Sequence, residues 1–362
     1  MDAKGFELLE ALVACPSATG SEQAIQRLVA EHARGFADVL EPDLHGNLGV
    51  VLNPGAERRV VLAAHCDQIG FMVMEIGEAG FLHVDPLGGV DEQTVLGTRV
   101  VVHGRKGPVP GVFGKTSTHL QASNEREKTP LVDQVWVDIG ARSREEAEER
   151  VGIGDAVTYE ARLLRLQNDR VAGPGLDNAA GLWAILEVAR RCAGKKLEVA
   201  LHCVSTVQEE VGSRGAESAV SRIRPVVAVS VDTTLTVDDP GVPKKRTAPK
   251  VRLEGGPSIS MGPNTHPVVA HLLCRAAREK GVSCQREPNA DVESNDAKPL
   301  QVGGGGVAVA SVGIPIRNMH TPTEVMSLTD LEGAATLLTE FVLSLRDGTD
   351  LLPISFDPPG RG

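Results

Sequence analysis

Closely spaced cysteine pairs and long basic runs are both missing from this 362-residue chain. Its six cysteines (15, 66, 192, 203, 274 and 284) include no C-x-x-C pair. Several lie in apolar strand or helix patterns, where a free thiol behaves as a small hydrophobe, so they read as reduced and structural. The longest basic run is PKKR at 243–246, against a formal net charge of -11. This balance argues against a nucleic-acid partner, which would ask for a basic face; a cationic or neutral substrate fits better. At the N-terminus, MDAKGFELLEALVACPSATGSEQAIQRLVAEHARGFA spreads acidic residues among apolar ones at helical spacing. That is not the layout of a secretory signal, and the expectation is a cytoplasmic protein. With 41% hydrophobic and 23% charged residues the composition is that of a soluble protein, and nothing calls for a membrane. The chain has no internal repeat, and its one low-complexity segment is GGGG at 303–306. A strand pattern follows those glycines where a phosphate loop would need a helix, so they read as a turn.

What is present has the size of two domains. Phe6, Leu9, Leu12 and Val13 form one helical stripe, and Ile25, Leu28 and Val29 form another after the turn PSATGSE. NLGVVLN and RRVVLAAH then read as strands. From residue 68 to 165 the texture changes to short β-runs such as FMVMEI, FLHVDPL and RVVVHG, broken by Gly and Pro, with only SREEAEERV helical. This predicts a small β-rich domain, a compact barrel, inserted into an α/β domain formed by residues 1–67 and 166–362. In the last helix, LEGAATLLTEFVLSL, Thr329 and Glu332 have capping-box spacing.

Five apolar runs stop at a residue able to bind metal or move protons: VVLAAHCD (His65, Asp67), GPGLDNAAG (Asp177), TVQEEVG (Glu209, Glu210), VVAVSVDTT (Asp232) and IPIRNMHTP (His320). Each has an ordinary alternative. His65 and His320 suit hydrogen-bonded core positions; Asp177, or Asn178 beside it, suits a helix N-cap; Asp232 suits a turn; Glu210 suits a solvated strand end. Five coincidences are less plausible than one site, because the carboxyl ends of strands in an open α/β sheet line a common crevice. Two imidazoles and three carboxylates (His65, His320, Asp177, Asp232 and Glu210) match two divalent ions with a bridging hydroxide, and the mixed N/O set suits zinc, cobalt or manganese. Such a pair acidifies a bridging water and polarises a carbonyl. The adjacent Glu209 would then be the general base. In the H-x-D pair, Asp67 is placed to fix the tautomer of His65.

These residues resemble the dinuclear aminopeptidases of metallopeptidase clan MH, family forty-two, which include glutamyl, deblocking and tetrahedral aminopeptidases and are sometimes labelled endoglucanase-like. AAHCDQIGFMV, GLDNAAG, VQEEVGSRGA, SVDTTLTVDDPG and IRNMHTPTEVMSLTDLEGAATLL match the family's motifs in order. GVFGKTSTHL and VWVDIGARSREEAEERVGIGDAVTYE resemble its inserted domain. The resemblance implies a mixed-sheet α/β/α metallopeptidase domain with an inserted β-barrel dimerisation domain, and removal of the N-terminal residue from short peptides. It also implies dimers that assemble into a tetrahedral dodecamer. His65 and Asp232 would hold one metal, Glu210 and His320 the other, with Asp177 bridging, Asp67 orienting His65, Glu209 acting as base, and a cis peptide joining Asp177 to Asn178. Gln68, Ala179, Leu235 and Asn318 depart from the family pattern, where Glu, Arg, His and an aromatic residue are usual. An amide hydrolase of N-acylated amino acids is the alternative on the same site, followed by a non-catalytic homologue. A glycosidase ranks low, because it ordinarily needs two carboxyls flanking a sugar bond and no metal cluster.

Overall fold

A computed structural model describes residues 1–122, 128, 131–241, 251–291 and 294–354. The PKKR run lies outside them. Two helices open the chain, α1 (Ala3–Ala14), capped by the Asp2 side chain accepting from the Gly5 N–H, and α2 (Gln23–Ala33). Strands β1 (Val39–Pro42), β2 (Leu48–Leu52) and β3 (Arg59–His65) follow. Next come β4 (Gly70–Ile76), β5 (Leu82–Leu87), β6 (Arg99–Gly104), β7 (Gly107–Gly114) and β8 (Trp136–Asp138), then the short helix α3 (Arg144–Glu148) and β9 (Ala156–Tyr159). The six strands close into an antiparallel barrel in the order β4-β5-β8-β7-β6-β9. Phe71, Phe113 and Tyr159 meet edge to face inside it.

The chain then returns through β10 (Leu164–Arg165), β11 (Arg170–Gly173), α4 (Leu176–Cys192), β12 (Ala200–Thr206), α5 (Arg214–Ile223) and β13 (Val227–Leu235). It ends with β14 (Ser258–Met261), α6 (Pro267–Lys280), β15 (Gln285–Pro288), α7 (Ala297–Val302), β16 (Ala308–Arg317), β17 (Glu324–Ser327) and α8 (Leu328–Ser344). The mixed sheet runs β1-β2-β12-β3-β13-β16-β17-β11-β10, with β14 joined to β16 and β15 to β14. Its centre, β12, β3, β13 and β16, is parallel. Parallel strands are buried on both faces, and successive side chains alternate between them. Val60, Leu62 and Ala64 therefore join the core under α1, α4 and α8, while Val61 and Ala63 face α5 and α7. This makes an α/β/α sandwich interrupted by the barrel.

One local expectation changes, and the choice left open for the cap of α4 is decided. Helix α8 begins at Leu328, two residues early in the expected box, because Ser327 is the cap and accepts from the Thr329 N–H; Glu332 instead pairs with Arg191. Helix α4 starts after Gly175, whose φ of 67° no side-chain-bearing residue adopts easily. The Asn178 side chain accepts from the Gly181 N–H, so Asn178 does the capping and Asp177 is left free. GGGG forms a tight turn leading into β16. All six cysteines are unpaired. Among the described residues no helix is long and apolar enough to cross a membrane.

Candidate active site and its metal-binding groups

Because the four central strands run parallel, the residues at their carboxyl ends share one edge of the sheet. His65 ends β3, Glu209 and Glu210 follow β12, Asp232 lies near the end of β13, and His320 follows β16. Asp177 enters from the start of α4. Left-handed backbone at Gln208 (φ 58°) and His320 (φ 63°) bends both loops at the edge, a conformation that non-glycine residues rarely take and that clusters at functional sites.

His65 Nε2 lies 3.5 Å from Asp177 Oδ1 and 3.4 Å from Asp232 Oδ1. His320 Nε2 lies 3.3 Å from Asp177 Oδ2 and 3.5 Å from Glu210 Oε2. Asp177 thus offers one oxygen to each histidine. The atoms of His65, Asp177 and Asp232 all lie within 4.8 Å of one another, and so do those of Asp177, Glu210 and His320. Ligands about 2.1 Å from a tetrahedral centre stand roughly 3.4 Å apart, so both groups have the spacing a divalent ion requires. Glu210 Oε1 is buried with no hydrogen-bond partner, an uncompensated acceptor that a cation would satisfy.

The second nitrogen of each imidazole faces a main-chain carbonyl: His65 Nδ1 is 3.0 Å from the Asp67 oxygen, and His320 Nδ1 is 2.8 Å from that of Gly89. Both contacts favour the Nδ1–H tautomer and leave Nε2 free to bind. The Asp67 carboxylate is farther from the ring, at 3.6 Å. It is fully buried, accepting from the Thr19 hydroxyl (2.9 Å) and from the N–H groups of Glu209 (3.0 Å) and Glu210 (3.2 Å). Asp67 therefore holds the glutamate doublet by its side chain and His65 by its backbone. The Glu209 carboxylate stands 4.0 Å from His65 Nε2, takes a bond from the Ser213 hydroxyl and belongs to neither group of ligand atoms.

Residues 46–337 match the M42 glutamyl aminopeptidase family. The chain belongs to that family. It is 32% identical over 357 residues to the lysyl aminopeptidase of Pyrococcus furiosus, covering 98% of this chain and 99% of that one. The TET aminopeptidase of Thaumarchaeota archaeon SCGC AB-539-E09 superposes with a TM-score of 0.90 at 28% identity, covering 95% of this chain and 97% of that chain. The TET1 peptidase of Pyrococcus horikoshii, which can assemble into a tetrahedron or a large octahedral shell, gives 0.85 at 28% identity, with 94% and 100% covered.

This M42 chain is a metallo-aminopeptidase, and its two candidate metal-binding groups are consistent with a dinuclear metallopeptidase site. The Asp177–Asn178 peptide is cis. Of the positions that depart from the family pattern, Gln68 is buried against Gly175 and donates to Ser17, and Ala179 is buried in α4. Leu235 is 60% exposed at the cleft, and Asn318 donates to the Thr323 carbonyl.

Without ions the M42 site carries strong electrostatic tension. Burial, reinforced by Asp232, Asp296 and Asp67 against the opposing pull of His65, pushes the Glu209 carboxyl up to about 8. Burial together with Asp177 pushes Glu210 up to about 10. For Asp177 burial acts upward as well, but hydrogen bonds from His320 and His65 outweigh it and hold the group below the usual carboxylate range. His65 is the mirror case: burial lowers it, yet Asp232, Asp177 and Asp67 together hold it well above an ordinary imidazole.

Three acids under or near the site are not singled out by the sequence. Glu324 is buried and accepts from the Asp177 N–H (3.0 Å) and the His320 N–H (2.9 Å), fixing a residue of each ligand loop; its only signal was a place inside the HTPTEVMS motif. Asp296 is buried, accepts from the Thr206 hydroxyl through Oδ2 and leaves Oδ1 without a partner. It stands in a polar run, ESNDAK, with no apolar pattern to mark it. Glu287 lines the cleft beyond Asp232.

Proposed function

We propose that this metallo-aminopeptidase removes the N-terminal residue of short peptides. His65, Asp177 and Asp232 would hold one divalent ion and Asp177, Glu210 and His320 the other, zinc or cobalt in preference and manganese next. The carrying observation is that one carboxylate, Glu209, stands beside two complete ligand groups without belonging to either. When bound, the ions supply Lewis acidity to a scissile carbonyl and lower the pKa of a water. Glu209 takes that water's proton through its side chain and delivers it to the leaving amine. Asp67 keeps Glu209 in place by accepting its main-chain N–H. The cleft, of about 970 Å³, has room for a few residues of extended peptide and none for a folded chain.

The barrel segment, with boundaries at 68 and 165, would be the dimerisation unit; the dodecameric and tetrahedral assemblies of the TET relatives support a tetrahedral dodecamer as the final assembly. Six unpaired cysteines favour the cytoplasm. The test is metal-depleted protein reloaded with zinc, cobalt or manganese and given aminoacyl anilides beside their N-acetylated forms. Cleavage of the free-amine series, lost on chelation, is expected. Preference for the acetylated series would assign the deacylase chemistry instead, and full activity after chelation would overturn the reading.

A further inference from the structure

The relatives carry names that point to side chains of opposite charge, lysyl and glutamyl, so this chain's preference has to come from its own cleft. Thr234 lies two residues beyond Asp232 on β13, hence on the same face and roughly 7 Å farther along the strand. Its hydroxyl donates to Glu287 Oε1 at 2.7 Å, and the Ser258 hydroxyl donates to Glu287 Oε2 at 2.6 Å. Gly313 makes this convergence possible: a Cβ there would stand 2.5 Å from Ser258 Oγ and 2.7 Å from Thr234 Cγ2. Each Glu287 oxygen keeps an acceptor site beyond those bonds. Among the described residues, no Lys, Arg or His nitrogen lies within 4.0 Å of its carboxylate.

From this we infer that Glu287 is the specificity residue for the substrate's first side chain and selects a basic one, lysine or arginine. The inference rests on the aminopeptidase reading of the same site. A four- or three-carbon stem carrying an ammonium or guanidinium has the length to run from the metal groups to Glu287. Thr234 and Ser258 hold the carboxylate still, so little side-chain freedom is lost when the cation arrives. Like charge would keep acidic residues out. Lys298, the one lysine or arginine among the described residues lining the cleft, sits with Pro299 and Val302 on α7, and carries no ion pair to Glu287.

The test compares kcat/KM for lysyl, arginyl, leucyl and glutamyl anilides in the wild type and in Glu287→Gln, Glu287→Asp and Glu287→Lys. The wild type is expected to prefer the basic pair over leucine by about tenfold to a hundredfold, the range of a charge-assisted hydrogen bond. Glu287→Gln removes that preference and leaves leucine within about threefold; Glu287→Asp keeps part of it; Glu287→Lys shifts preference toward glutamate. A leucyl or glutamyl preference in the wild type, or an equal loss on all substrates in Glu287→Gln, would overturn the assignment while leaving the aminopeptidase reading intact. No turnover of any anilide by the metal-loaded wild type would sink the aminopeptidase reading and the inference with it.

Discussion

The Gly89 carbonyl oxygen, in the loop that follows the second strand of the barrel, lies 2.8 Å from Nδ1 of His320, a residue of the sheet domain. Gly88, at a φ of 81°, comes equally near the other half of that ligand group: a Cβ there would stand 3.1 Å from Glu210 Cβ and 3.2 Å from its Oε2. The inserted domain thus closes over one of the two metal-binding groups and sets the tautomer of its histidine.

A side chain at position 89 should therefore weaken one metal position selectively. A Cβ there would press on His320 Nδ1 at 3.0 Å, so Gly89→Val is expected to lower affinity at the Asp177–Glu210–His320 group by about 10- to 100-fold, the usual cost of disturbing a ligand's supporting contact. Calorimetric titration of metal-free protein would show one site weakened and one unchanged. Equal weakening of both would contradict the division.

Glu209→Gln separates base from ligand. We expect two ions per subunit by elemental analysis and a fall in kcat on the order of a hundred- to ten-thousand-fold. A variant that binds only one ion would mean that Glu209 is a ligand instead.

Glu324 ties the loops of Asp177 and His320 together from beneath. In Glu324→Ala both N–H groups lose a buried acceptor, and each unsatisfied donor costs about 1–3 kcal/mol. Unfolding in urea should show a destabilisation of that order, with metal affinity reduced as well. Unchanged stability would mean that water replaces the carboxylate.

Stability of the metal-free protein should fall as pH rises. Folded, Glu209 and Glu210 hold their protons to about 8 and about 10, whereas the unfolded chain releases them near 4.5. Between those values the native state binds more protons, so unfolding becomes easier with increasing pH. His65 and His320, both raised, add to the trend above 6.5. Asp177, held low, has the opposite sign, and its contribution is lost only as pH falls below 3.8. Ions would displace the proton of Glu210 and, by their charge, lower the hold of Glu209 on its own, so the gap in Tm between zinc-loaded and metal-free protein should widen from about pH 5 to about pH 9. A constant gap in thermal scans would remove the electrostatic account.

The sequence by itself determined the alternation of elements and the chemistry of the cluster. The apolar periods of β3, β12 and β13 run straight into His65, the glutamate doublet and Asp232, because a buried strand and the ligand at its end are contiguous in the chain. Only the tertiary structure decided how the cluster is held. Residues that touch across long separations leave no local period: Glu324 under Asp177, Gly89 over His320, and Glu287 between Thr234 and Ser258. The capping of α4 was undecided between Asp177 and Asn178 for the same reason. The Asn178 amide also donates to the Val231 carbonyl, so the neighbouring strand fixes Asn178 as the cap and frees Asp177 to face both histidines.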